Sequence, residues 1–144
     1  MRNLMFLVAL ALPGCGDFSP ISGGELTGTV KPVPVDWTLV AGDDVVQLET
    51  RAPEPYSVNL WIIGAGPDLY VFAGDNRAAW IEHMALNPEV RVQIGDGIYE
   101  LTADQVTDAG EFERFADAWE SKYGRRPQNE NVGETYLMKL AARS

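Results

Sequence analysis

The order of strand-like and helix-like segments predicts a small α+β fold, a mostly antiparallel β-barrel with two principal helices. β-favouring runs follow one another through short Gly, Pro and Asp turns. The apolar period lengthens to that of a helix in two principal places, around Met84 and around Phe115. No regular strand–helix alternation of the kind that builds a parallel sheet is present.

Residues 25–30 form the first expected strand, and Lys31-Pro32-Val33-Pro34 ends it, because two prolines cannot donate to a central ladder and belong at a sheet edge or in a crossing loop. Asp43-Asp44 turns the chain into a strand at 45–50. After Pro53 and Pro55 a longer run at 56–63 and another at 69–73 read as strands. Between these two, Gly64-Ala65-Gly66-Pro67-Asp68 has the chemistry of a hairpin turn. Its partial likeness to a dinucleotide-binding glycine loop fails, since a strand follows where a helix should begin.

Residues 76–86 carry Ala79, Trp80, Ile81, Met84 and Ala85 at helical spacing, and Pro88 stops that helix. Val90, Val92 and Ile94 then alternate with Arg91 and Gln93, as in a half-buried strand, and Gly95-Asp96-Gly97 turns it into a return strand at 98–106. Asp108 caps a helix at 109–123 whose Phe112, Phe115, Ala116 and Trp119 share one side, and Gly124 ends it. Residues 135–141 close the domain as a strand.

The N-terminus has a different logic. Arg2, an apolar run at 4–12 and the small residues Pro13-Gly14 before Cys15 make the three-part layout of a secretory signal. The run is far shorter than the about 20 residues needed to span a bilayer. Leu12-Pro13-Gly14-Cys15 resembles the lipobox of bacterial lipoproteins, which implies cleavage before Cys15 and acylation of its thiol. The expected organisation is therefore a signal peptide at 1–14, a lipidated tether at 15–24 and one domain at 25–144, carried on the outer side of a membrane of the cell envelope. Acylation uses the single cysteine, which excludes an internal disulfide and any metal site built on thiolates. The formal charge of −10, made more negative by loss of Arg2, disfavours a nucleic-acid partner.

Leu48-Glu49-Thr50-Arg51, the run at 56–63, Leu69-Tyr70-Val71, Arg77, Trp80 and Asn87-Pro88-Glu89-Val90 occur in an order that resembles the flavin-binding split-barrel superfamily. Pyridoxamine-phosphate-oxidase-like proteins and deazaflavin-dependent nitroreductases are among its members. The resemblance covers residues 45–124 and implies a split β-barrel, with FMN or a deazaflavin as the cofactor to test. It further implies that Arg51, Ser57 and Arg77 would meet the cofactor phosphate, that Tyr70 or Trp80 would cover the ring, and that the site would lie between the chains of a homodimer. One departure is chemical: Ala52-Pro53-Glu54-Pro55 stands where the deazaflavin enzymes have a Gly-Arg-x-Ser-Gly-like donor loop.

No Ser–His–Asp set, paired-carboxylate motif or phosphate loop designates a catalytic residue, and no metal site is expected. His83, the single histidine, reads as a solvent-facing or capped helix residue. Trp61, Tyr70 and Trp80 read first as packing, and Arg51 and Arg77 first as partners of neighbouring carboxylates. Lys122, Arg125 and Arg126 suit a helix C-terminus. Two functions follow: an envelope module that binds a small ligand or partner without a flavin, and a flavin- or deazaflavin-dependent oxidoreductase of the nitroreductase kind. The anchoring expectation is checked by Cys15→Ser, which should move the protein out of the membrane fraction or leave the precursor uncleaved and unlabelled by fatty acid.

Overall fold

The computed structural model describes residues 23–42, 45–51, 53–75 and 77–144. The elements are β1 (Thr29–Val30), a 3-10 turn (Val40–Gly42), β2 (Val45–Thr50), β3 (Tyr56–Ala65), β4 (Asp68–Phe72), α1 (Ala79–Leu86), β5 (Glu89–Ile94), β6 (Gly97–Gln105), α2 (Ala109–Tyr123) and β7 (Leu137–Ala142). Strands β6-β5-β2-β3-β4-β7 are antiparallel neighbours, and β7 returns to β6, closing a six-stranded barrel. β1 adds a short parallel edge to β6. The expected α+β split barrel with two helices is the observed fold.

β6 closes the barrel because its length lets one edge pair with β5 over Gly97–Thr102 while the other pairs with β7 over Leu101–Gln105. The two hairpins are built from two-residue turns, Gly66-Pro67 and Gly95-Asp96, with Gly66 and Gly95 at φ near +60°. That φ costs a glycine little, and it matches the twist of the flanking strands.

Strand alternation sorts side chains into two cores. Val46, Leu48, Ile62, Leu69, Val71, Val90, Val92, Leu101 and Leu140 point inward and fill the barrel with Trp80, Ile81 and Met84 of α1. The outward Ile63, Tyr70 and Leu137 pack under Phe112, Phe115, Ala116 and Trp119 of α2. α2 begins where Asp108 Oδ2 accepts the Glu111 N–H at 2.7 Å and ends at Gly124, which takes φ +78°.

Among the described residues, β2 pairs with β3 as far as Val45 opposite Trp61. The last residues of α2 reach the next residue of β3: Lys122 Nζ donates to the Ile62 carbonyl at 2.7 Å, and the Tyr123 hydroxyl accepts the Ile62 N–H at 3.3 Å. The polar backbone groups of Ile62 thereby have side-chain partners.

Three elements differ from expectation. The strand expected at 25–30 shortens to Thr29–Val30, because the backbone of Leu26 and Thr27 is bonded by side chains of β2 and β5 instead of by a neighbouring strand. The first helix begins at Ala79, with Ala78 extended and offering no side-chain cap. His83 is half-buried rather than solvent-facing; its Nδ1 lies 2.8 Å from Thr50 Oγ1 and its ring makes a T-shaped contact with Tyr56. Residues 1–22, including the signal, the lipobox-like segment and Cys15, and the Asp43-Asp44 turn lie outside the described residues.

Gly64 gives a test of this packing. A Cβ there would sit 2.6 Å from the Trp37 carbonyl oxygen and 2.9 Å from Ala41 Cβ, where the segment before β2 crosses the barrel. Gly64→Ala should therefore destabilise by about 1–3 kcal/mol, read as a lower denaturant midpoint with unchanged slope.

Candidate functional site

The outer face of β2, β3 and β5 carries the charged residues that the sequence singled out. Glu49 points outward from β2, opposite Ser57 on β3 and Arg91 on β5. It is nevertheless fully buried, because residues 23–27 cross this face as a strap. Arg91 Nε donates to Glu49 Oε1 at 2.8 Å and its Nη2 donates to Oε2 at 3.0 Å, while Arg51 Nε donates to Oε1 at 3.0 Å. The Leu26 N–H donates to Oε2 at 2.6 Å, and Arg91 Nη2 also donates to the Leu26 carbonyl at 2.8 Å. Glu25 adds a second carboxylate, 3.5 Å from Arg51 Nη2 and 3.8 Å from Arg91 Nη2.

Burial raises the cost of charge on Glu49, but the bonds from Arg91, Leu26 and Arg51 outweigh it and hold the carboxyl below its ordinary range. Ser57 is buried on the same face; its backbone pairs with Gly23, and a Cβ on Gly23 would come within 2.6 Å of Ser57 Oγ. A side chain at that point would require the Ser57 hydroxyl to shift.

Of the five residues expected around a cofactor, the fold brings Arg51 and Ser57 together on this face. The other three are elsewhere. Tyr70 is buried under α2 beside Phe115, and its hydroxyl donates to Glu111 Oε1 at 2.9 Å. Burial and that acceptor hold the phenol well above its usual value. Lys139 Nζ binds the same carboxylate oxygen at 2.8 Å and keeps Glu111 charged. Trp80 belongs to the other core, inside the barrel. Arg77 is exposed, 3.6 Å from Glu82 Oε1, at a groove of about 280 Å³ between α1 and the β6–β7 edge. Among the described residues no group of three or more His, Cys, Asp or Glu side chains is placed to hold a metal ion.

A feature that the sequence reading passed over lies at the far end of α2. A groove of about 580 Å³ is lined by Trp61, Phe72, Asp75, Trp119, Arg125, Arg126 and Gln128, among others. Trp61 is outward-facing on β3 and 40% exposed, with one face stacked on Tyr123 at 4.5 Å and 17°. The available signal was its strand parity with Asn59 and Ile63, which puts it outside the barrel where α2 ends.

No family model matches the chain, and no curated protein does. Solved structures do. A candidate pyridoxamine 5′-phosphate oxidase from Listeria innocua aligns at TM-score 0.57 and 19% identity over 74% of this chain and 89% of that one. The chain has the split-barrel fold. A candidate 5-nitroimidazole antibiotic resistance protein from Bacteroides thetaiotaomicron aligns at TM-score 0.61 and 14% identity over 73% and 76% of the two chains. An F420-H2-dependent reductase aligns at 0.54 and 19% over 67% and 93%. These are the kinds of protein that the motif order resembles, and at such identities the likeness is one of fold.

The buried carboxylate makes two measurable predictions. Glu49→Ala leaves Arg91 and the Leu26 N–H without their partner and should destabilise by about 3–5 kcal/mol. Because the folded-state value of Glu49 is depressed, its stabilisation is present above the ordinary carboxylate value of 4.5 and is lost as pH falls through the lower folded value. Thermal unfolding followed against pH should show this acid-side loss reduced in Glu49→Gln.

Proposed function

We propose that this chain is a lipid-anchored envelope protein whose split barrel serves as a small-ligand-binding module without a flavin at the Arg51–Ser57 face. The observation that carries this reading is the ion-paired, fully buried Glu49. A cofactor phosphate needs unengaged donors, and charge-assisted bonds to a buried carboxylate are the strongest competitor for them. Here Arg51 and Arg91 already hold Glu49, Glu25 screens their outer side, and the strap covers Ser57. Pro53 and Pro55 remove two N–H donors from the loop that follows. The barrel interior is filled by side chains, so a ligand would bind in an outer groove.

The membrane anchor, the envelope location and the division at residues 14 and 24 form part of the proposal and rest on the lipobox-like Leu12–Cys15 segment.

The second reading, a flavin- or deazaflavin-dependent oxidoreductase, is favoured by the fold neighbours and by the order of motifs along residues 45–124. Under it the cofactor supplies the hydride or electron transfer, Arg51, Ser57 and Arg77 hold its phosphate, and Tyr70 or Trp80 covers its ring, in a homodimer. That arrangement requires the strap to leave the Arg51 face and Tyr70 or Trp80 to leave its core.

Titration of the folded protein with FMN and with a deazaflavin, followed by absorbance and alongside a measurement of oligomeric state, separates the two. The binding-module reading expects no saturable flavin binding that Arg51→Ala weakens. The oxidoreductase reading expects saturation, with Arg51→Ala and Arg77→Ala each weakening affinity at least about tenfold, since a charge-assisted contact contributes about 1.5–3 kcal/mol.

A further inference from the structure

We propose that the groove beside Trp61 binds a neutral saccharide; this rests on the binding-module reading and names the ligand class of that module. The groove's volume of about 580 Å³ falls within the about 300–1,000 Å³ of small-molecule sites. Its aromatic side is unusual for this chain. Trp61 is 40% exposed, while Trp119, tilted against it at 5.4 Å, is buried. Tyr123 fixes one face of the Trp61 indole, so the ring is held in place while still open to the groove. An exposed, immobilised indole is a flat apolar platform whose negative face attracts the C–H side of a ring.

The polar side of the groove carries Asp75, Arg125 and Gln128. None of the three makes a hydrogen bond or ion pair with another described residue. Together they offer an acceptor-only carboxylate, a donor-only guanidinium and an amide that does both. Hydroxyl groups, which donate and accept, match all three at once. The charges favour a neutral ligand as well. An anion would meet Asp75 on a chain of net charge −10, and a cation would meet the neighbouring Arg125 and Arg126.

The groove wall is also pre-formed. Arg126 bonds Glu113, Asp117 and Glu130 at 2.8–2.9 Å, tying the segment after α2 back to the helix. Asn129 and Asn131 side chains each accept a backbone N–H two residues on, stiffening the same segment. A wall already ordered loses little entropy when a ligand arrives.

The test is titration of the full chain with cellobiose, maltose and N-acetylglucosamine, read by tryptophan fluorescence and by saturation-transfer NMR. Saturable binding of at least one sugar is expected, weakened at least tenfold by Trp61→Ala and three- to tenfold by Arg125→Ala or Gln128→Ala. Lys31→Ala, a surface change beside the β5–β6 turn and outside the groove lining, should leave it unchanged. Unaltered circular dichroism and unfolding midpoints will show that the variants are folded, and Trp61→Phe should restore part of the affinity. No saturable binding of any of the three sugars to folded protein, or binding that survives Trp61→Ala, overturns the proposal. Flavin binding that is lost in Trp61→Ala overturns the sugar class and keeps the module. Flavin binding lost instead in Arg51→Ala overturns the module reading itself.

Discussion

The Glu49 carboxylate organises the outer face of the barrel. A carboxylate with no exposure is tolerated only when its charge is answered, and here two guanidinium groups and a backbone N–H answer it. Those bonds do more than neutralise charge. They replace strand pairing for Leu26, hold the strap across β2 and β5, and thereby bury Ser57. Removing Glu49 would release the covering segment and two cations together, so the stability of this face and the engagement of its two arginines have one cause.

Closure of the barrel depends on a second arrangement of the same kind. Ile62 of β3 lies just beyond Trp61, where the described pairing with β2 ends, next to an apolar layer. Lys122 and Tyr123 bring a donor and an acceptor to its backbone from the end of α2. Lys122 also donates to the Ala41 carbonyl at 2.9 Å, so one ammonium joins helix, strand and the turn before β2. The sequence suggested only a favourable charge at a helix terminus for this lysine. Its observed role could not be read there, because the partners lie 60 and 81 residues away.

What was legible depended on range. The alternation of Val90, Val92 and Ile94, the Asp108 cap, the Gly124 stop and the two hairpin turns are local patterns, and each appears where the sequence put it. Element order then limited the topology to a barrel. The strap was not legible: a run at 25–30 looks like a strand, and only the positions of Glu49 and Arg91, 23 and 65 residues from Leu26, reveal that side chains take over its backbone. Tyr70 and Trp80 show the same limit. Their aromatic character was evident, but which core each entered was set by strand parity and helix docking. Trp61 was read as packing, although its exposure follows from an outward position where α2 runs out.

Strand parity also explains how a fold can be shared while a site differs. The inward residues of β2, β3 and β5 hold the barrel, and they need only be apolar and of suitable volume. The outward residues Glu49, Ser57 and Arg91 are free to change without disturbing that interior, since successive side chains point to opposite faces. A barrel close in shape to flavin-linked neighbours can therefore carry a buried, self-neutralised salt-bridge cluster on one outer face and an exposed tryptophan groove on another. Shape is set by one set of alternate residues, and the chemistry of the outer face by the other.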